Sequence, residues 1–208
     1  MPVITISRMY GSSGSEVAER VAQALGWQFF DNELIDAVAE RAGLSHDEVA
    51  ARDERVPSIV ERLATALALG SSEILPPVDI ESTEERLVAI TNRIIEEAVQ
   101  AGPAVFVGRG AQSLLANRED ALHVFCYAPR SALRRWVMQT FEVSADEADR
   151  RVAEMNKHRE QYVKRHWQRN WLAPENYHLW LNTSWLGLDE AAHIIVETAR
   201  RHLEVGSA

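Results

Sequence analysis

The strongest constraint on the fold lies in the first 31 residues. Val3-Ile-Thr-Ile-Ser7 is a short β-branched run and reads as a buried strand. A Gly/Ser loop follows, Gly11-Ser-Ser-Gly-Ser15, and then Val17, Ala18, Val21, Ala22 and Leu25 recur at helical spacing. Gly26 is placed to end that helix at its C-terminal cap. Trp27-Gln-Phe-Phe-Asp31 reads as a second strand. Strand, loop, helix and strand in that order mark an α/β protein with a parallel sheet.

The place of the loop matters more than its glycines. Backbone N–H groups at a helix N-terminus, flanked by small residues, form a ready anion site. Gly11 and Gly14 let the chain turn and let a phosphate approach closely. The phosphate-loop pattern G-x-x-x-x-G-K-[ST] is not matched. With Ser15 in the hydroxyl position, Gly14 falls where the lysine belongs, Ser13 on the second glycine and Arg8 on the first. The plainer alternative is a tight strand-to-helix turn that holds no ligand.

Further strands are expected at Pro103-Ala-Val-Phe-Val107, Leu122-His-Val-Phe-Cys-Tyr127 and Tyr177-His-Leu-Trp-Leu-Asn182, with a final helix through Ala191 to Leu203. The middle of the chain reads as helical. Ser45-His-Asp-Glu48, Ser58-Ile-Val-Glu61 and Ser82-Thr-Glu-Glu85 each match the capping box, and Leu63, Leu67, Ile90, Ile94 and Ile95 support helices between them. Gly70-Ser-Ser and Pro76-Pro77 mark an exposed loop. Ser144-Ala-Asp-Glu147 reads as another helix start. Cys126, the single cysteine, sits in an apolar run and reads as a small core residue.

Charge adds a second constraint. The chain of 208 residues carries 22 Lys+Arg against 31 Asp+Glu, a net charge of -9. That balance argues against whole-surface binding to nucleic acid or to an anionic membrane. No apolar run approaches the roughly 20 residues needed to cross a bilayer, and no signal peptide is recognisable, so the cytoplasm is the expected location. Among the 22 cations only Lys157 and Lys164 are lysines, so chemistry needing a lysine elsewhere is ruled out. From Arg130 to Arg169, ten cations face six acids. Such an excess suits a helix that folds over a small anion, although a solvated face laced with ion pairs such as Glu160/Lys164 would also account for it.

Several stretches carry a resemblance. Ile4-Thr-Ile-Ser-Arg8 with Tyr10-Gly-Ser-Ser-Gly14 resembles the start of the cytidylate kinase-like proteins, relatives of the P-loop nucleoside-monophosphate kinases. Trp27-Gln-Phe-Phe-Asp-Asn-Glu-Leu-Ile35, Phe106-Val-Gly-Arg-Gly-Ala111 and Val124-Phe-Cys-Tyr-Ala-Pro129 are similar to later segments of that family. So are Arg159, Tyr162, Trp171 and Tyr177-His-Leu-Trp-Leu-Asn-Thr-Ser184. The resemblance implies a P-loop NTPase-type three-layer sandwich over residues 1–208, with a parallel five-stranded sheet. It also implies a helical acceptor-binding region at about 32–100 and a helical lid at about 144–172.

The activity implied is transfer of the γ-phosphoryl group of ATP, with Mg²⁺, to CMP or dCMP. Gly11, Ser12, Ser13, Gly14 and Ser15 would hold the donor phosphates, with the Ser15 hydroxyl helping to place Mg²⁺. Asp31 would face the acceptor or the water shell of the metal, and Arg109 would grip the acceptor phosphate through a bidentate fork. Arg159 and Arg165 would come from the lid, Arg86 would assist on the acceptor side, and Arg8 would supply a cation from the strand end. Duller roles compete: Asp31 as a helix cap, Arg109 bonding loop carbonyls, Arg165 and Arg169 on a solvated face, and Trp167 and Trp171 in packing. Two other functions stay open, a nucleotide-binding pseudokinase without turnover and a kinase for another small acceptor. The apolar helices of residues 58–99 leave room for a homodimer interface.

Overall fold

In the structure, a computed structural model, residues 1–32, 35 and 83–203 are described. The expected capping boxes at Ser45 and Ser58 and the loop at residues 70–77 lie outside them. The chain forms two compact units, Met1–Asp31 with Pro103–Ala208, and Asn32–Gly102.

The first unit is built on five strands: β1 (Val3–Arg8), β2 (Gln28–Phe30), β3 (Ala104–Val107), β4 (Ala121–Tyr127) and β5 (Leu179–Asn182). They form one sheet in the order β2-β3-β1-β4-β5, and every pairing is parallel. Val3 aligns with Ala104 on one side and with Ala121 on the other. A parallel sheet covered on both faces has no polar side, and all six residues of β1 are buried.

Alternation along the strands assigns the faces. Ile4 and Ile6 of β1, Val105 and Val107 of β3, and Leu122, Val124 and Cys126 of β4 share one core. Over that core lie α1 (Gly14–Leu25) and the last helix, α7 (Leu188–His202). The helical spacing of Val17, Ala18, Val21 and Ala22 is the stripe that α1 buries. Gly26 ends α1 in a left-handed conformation, φ 65°, which a glycine adopts at little cost.

The opposite face takes the other residues of β4. Phe125 stacks on Trp180 with ring centroids 4.2 Å apart and meets Trp171 and Tyr177 edge-on. Beside this cluster, α4 (Arg130–Phe141) packs on α5 (Ala145–Trp167) through Leu133, Val137, Ala148 and Val152. Ser144 caps α5 by accepting from the Glu147 amide at 3.3 Å. Asp146 and Glu147 open that helix, and Lys164, Arg165 and His166 close it, which matches its dipole at both ends. Short helices α3 (Ala111–Leu114) and α6 (Thr183–Leu186) follow β3 and β5.

In the second unit the described element is α2 (Thr83–Ala101), which starts where the third capping box points. It buries Ile94, Ile95, Ala98 and Val99 on one stripe and carries an Arg93–Glu97 pair one turn apart.

A buried polar contact links the central strand, β1, to its neighbour β4. Thr5 Oγ1 and His123 Nδ1 stand 2.7 Å apart, buried, and the His123 ring stacks on His178 at 5.2 Å. Burial, and then the neighbouring His178 and Arg169, push His123 down from 6.5 to about 4, partly opposed by the Leu115 backbone. The fold therefore holds the neutral ring, while the unfolded chain takes up the proton first as pH falls. Stability from this site is complete above pH 6.5 and is lost as pH drops towards about 4. The whole loss is at most about 3 kcal/mol. Urea unfolding at pH 7 and pH 4.5 should show a steeper decline for the native protein than for His123→Gln, and equal slopes would refute the assignment.

Candidate functional site

All five strands run in one direction, so their carboxyl ends share one edge. Arg8 is the last residue of β1, Asp31 follows β2, Gly108-Arg-Gly110 follows β3, and Thr183 follows β5. The connection from β1 reaches β2 on one side, and the one from β3 crosses to β4 on the other. In open parallel sheets such a reversal opens a crevice at the carboxyl edge, where ligands bind.

The loop after β1 is tied to the sheet. The Met9 amide donates to the Cys126 carbonyl at 2.9 Å. Ser12 Oγ donates to the Met9 carbonyl at 2.8 Å, with the Cys126 carbonyl at 3.3 Å as a second acceptor. Thr183 Oγ1 reaches the Ser12 carbonyl at 2.6 Å from the start of α6. Ser12 is thus a buried staple whose hydroxyl and amide are both engaged within the loop. Gly11, with φ 83°, passes so close to α4 that a Cβ would stand 3.1 Å from the Leu133 carbonyl oxygen. Ser13 takes the left-handed region, φ 54°, and delivers the chain into α1 without a side-chain cap. The amides of Gly14 and Ser15, first in α1, have no acceptor within the helix. Ser15 itself is exposed.

Helix α5 closes over this loop. Asn156 Oδ1 accepts from the Tyr10 amide at 2.8 Å, and Arg159 Nη1 donates to the Arg8 carbonyl at 2.6 Å. The Arg159 guanidinium also lies over the Tyr10 ring, 5.7 Å from its centroid. Further along, the Tyr162 ring lies 6.0 Å from the Arg109 guanidinium, and Trp167 packs on Gly110. Arg109 itself is left-handed, φ 47°, a conformation that a non-glycine residue keeps only when its surroundings enforce it.

Three cations meet here. Burial, and then the charges of Arg159 and Arg109, push Arg8 down to about 9, with Asp31 acting in the opposite direction. Burial likewise lowers Arg159 to about 10, opposed by Tyr10. Both stay charged at neutral pH. Like charges gathered in a partly dry place attract an anion strongly, because the same low polarity that sharpens their repulsion sharpens its attraction.

The structure therefore brings Arg8, Asp31, Arg109 and Arg159 together beside the loop of residues 11–15. Arg165 is exposed and lies on α5 six residues beyond Arg159 and one turn beyond Tyr162. Arg169 lies beyond the end of α5 and donates to Asn176 Oδ1 at 3.2 Å. Arg86 lies in α2, in the other unit. Asn156, Tyr10 and Thr183 form the site although sequence reasoning gave them no role in it, whereas Trp167 takes the packing role expected of it. Asn156 and Arg159 stand three apart on α5, a spacing that could have paired them. Among the described residues, no group of three or more His, Cys, Asp or Glu could hold a metal ion, and no helix is long and apolar enough to cross a membrane.

A five-stranded parallel sheet with helices on both faces is also the fold of several P-loop kinases. A shikimate kinase from Acinetobacter baumannii, in complex with shikimate, matches with a TM-score of 0.52 at 15% identity, over 97% of this chain and 94% of that one. A gluconokinase from Sinorhizobium meliloti matches with a TM-score of 0.53 at 13% identity, over 98% and 94%. An uncharacterized protein from Eubacterium ventriosum matches at 0.71 and 18%, over 96% and 99%. At these identities the likeness concerns the fold, which is that of a P-loop kinase. Within that class, residues 3–185 match the cytidylate kinase-like family, and the chain belongs to it. No match to a curated protein is found.

The contact between Trp167 and Gly110 is testable by itself. A Cβ at Gly110 would stand 2.2 Å from the Trp167 ring, and φ 69° already disfavours a side chain. Gly110→Ala should destabilise the protein by about 1–3 kcal/mol. In a Trp167→Ala background the same change should cost distinctly less, as read by urea unfolding. Equal penalties in the two backgrounds would show that the ring is not seated on the glycine.

Proposed function

We propose that this protein transfers the γ-phosphoryl group of ATP to a nucleoside monophosphate of the cytidylate type, CMP or dCMP. The observation that carries this reading is the convergence of Arg8, Arg109 and Arg159 at the carboxyl edge of the sheet, next to the loop that opens α1. Phosphoryl transfer needs little covalent help from the protein. It needs aligned reactants and positive charge around the moving group.

In this reading the amides of Gly14 and Ser15, with the loop of Gly11 to Ser13, receive the donor phosphates. Ser12 contributes by holding the loop in shape, its hydroxyl bonding back to the Met9 carbonyl rather than to a phosphate. Arg109 takes the acceptor phosphate, and Arg159 reaches the transferring group from α5. An oxygen of the acceptor phosphate bonds to the γ-phosphorus while the bond to the departing ADP oxygen breaks. That acceptor oxygen is already ionised at neutral pH, so no general base is required. The Ser15 hydroxyl and the Asp31 carboxylate, hard oxygen donors of the kind Mg²⁺ accepts, would hold it. The chemistry supplied there by Mg²⁺ would be neutralisation of charge on the donor phosphates.

A second reading is a nucleotide-binding protein without turnover, and the specific observation favouring it is Gly14 in the place of the phosphate-loop lysine. A third is a kinase for a small hydroxylated acceptor, on the likeness in fold to shikimate kinase and gluconokinase.

Purified protein with ATP, Mg²⁺ and a panel of monophosphates and hydroxylated acids separates the three. CDP or dCDP formation is the expected result. Calorimetric binding of ATP without product from any acceptor would sink the enzyme reading, and product from a hydroxylated acid alone would establish the third. Arg159→Ala should lower kcat by about 10²–10³. Arg109→Ala should raise KM for the acceptor by about tenfold or more while leaving ATP binding intact. Unchanged acceptor kinetics would remove Arg109 from the site.

A further inference from the structure

In the phosphate-loop pattern, a lysine on the first turn of the helix neutralises the donor phosphates, and here glycine holds that position. The surroundings of Gly14 show more than a missing side chain. A Cβ built on Gly14 would stand 2.6 Å from Arg8 Cβ, 3.2 Å from Arg8 Cγ and 2.9 Å from Cys126 Cβ. Real Cβ atoms do not approach other atoms so closely, and two of these neighbours are Cβ atoms fixed to strand backbone. They cannot swing aside as a flexible side-chain end can.

The cause lies in strand alternation. Ile4 and Ile6 of β1 face α1 in the core, so Arg8, of the same parity, faces α1 as well. Cys126 is the register partner of Arg8 on β4 and belongs to the same core face. The two side chains together form the floor on which the first turn of α1 rests. Only a residue without a Cβ lets the helix sit that low. The Arg8 stem is then covered by the helix, and Arg8 is 9% exposed. Its buried guanidinium lies close enough to Arg109, Arg159 and Asp31 for their charges to act on it.

We infer that Arg8 is the donor-side cation of this site and that it excludes a lysine at position 14, the strand end carrying the charge that the helix start carries in the usual pattern. This rests on the kinase reading given above. The consequence is a coupled pair: a side chain at 8 requires glycine at 14, and a lysine at 14 requires glycine at 8, with Cys126 giving way slightly. Arg159 holds the Arg8 carbonyl and so keeps the strand end in place beneath the loop.

The test has a structural arm and a binding arm, both on the full chain. In thermal unfolding, Gly14→Lys should be strongly destabilising in the native background and markedly less so in Arg8→Gly. In calorimetry with ATP, ADP and adenosine, Arg8→Gln keeps most of the stem and removes the charge. It should weaken ATP and ADP by about tenfold or more and leave adenosine unchanged. Arg8→Lys should recover part of the loss. Equal ATP affinity in native protein and a folded Arg8→Gln would overturn the inference, as would Gly14→Lys tolerated beside Arg8. If Arg8→Gln does not fold, the pair Arg8→Gly/Gly14→Lys decides. Recovered folding with ATP binding supports the exchange, and a pair that does not fold, or folds and does not bind ATP, refutes it. Native protein that binds none of the nucleotides would instead mark failure of the kinase reading, and the stability coupling between positions 8 and 14 would still stand or fall by itself.

Discussion

Everything at the candidate site depends on how the first turn of α1 meets the sheet. The helix rests directly on Arg8 and Cys126 with no Cβ between them. That contact sets the height of the loop, and the loop in turn sets which groups face the carboxyl edge. Met9 and Ser12 bond back to the Cys126 and Met9 carbonyls, so the loop is pinned at its base before any ligand is considered. Thr183 fastens the same loop from the far side, through the Ser12 carbonyl. Two neighbouring strand ends and a short helix thus converge on five or six residues of backbone. The amides at the start of α1 have no acceptor within the helix.

The second constraint is that α5 touches both halves of the edge. Asn156 and Arg159 meet the loop after β1, while Tyr162 and Trp167 meet the loop after β3. These residues recur at three- to five-residue intervals along one rigid helix, so a displacement at one end is carried to the other. Arg159 has two tasks in that arrangement. Its guanidinium holds a main-chain carbonyl and also brings charge next to Arg8, so the contact that positions the helix also builds the electrostatic site. The strained conformation of Arg109 is paid for by this packing: the ring of Trp167 occupies the space over Gly110 and leaves the loop no easy way to relax.

Most of the sheet was legible in the sequence, for a physical reason. Buried parallel strands are short, apolar and rich in β-branched residues; the run at Ala104 shows this without interruption, and those at Val3 and Leu122 show it around the buried Thr5–His123 pair. Helix ends were legible where the stop or start is chemical, as with Gly26 after α1 and Ser144 before α5. The strand before α6 was drawn too long at its start, because Pro174–Asn176 forms a 3-10 turn and Tyr177 and His178 precede the ladder. Among the candidate residues, Arg8, Asp31 and Arg109 could be picked out because each lies at or just beyond the end of a strand. Arg159 and Arg165 could not be told apart in the same way. Which face of α5 meets the loop depends on packing against β4 and α4, and that pattern is too weakly apolar to read along the chain.

The sequence by itself determined the class of fold, the parallel direction of the strands and the edge on which a site must form. It also determined that lysine chemistry was not available outside one helix. Those properties follow from local chemistry: β-branched runs, helix periodicity, caps and residue counts. Only the tertiary structure decided why glycine stands at position 14. The answer depends on the parity of Arg8 along β1, its register against Cys126 and the height at which α1 lies on both. A chain read one residue at a time shows an absent lysine. In three dimensions the space for that lysine is occupied, because two side chains cannot fill the same volume beneath one turn of helix.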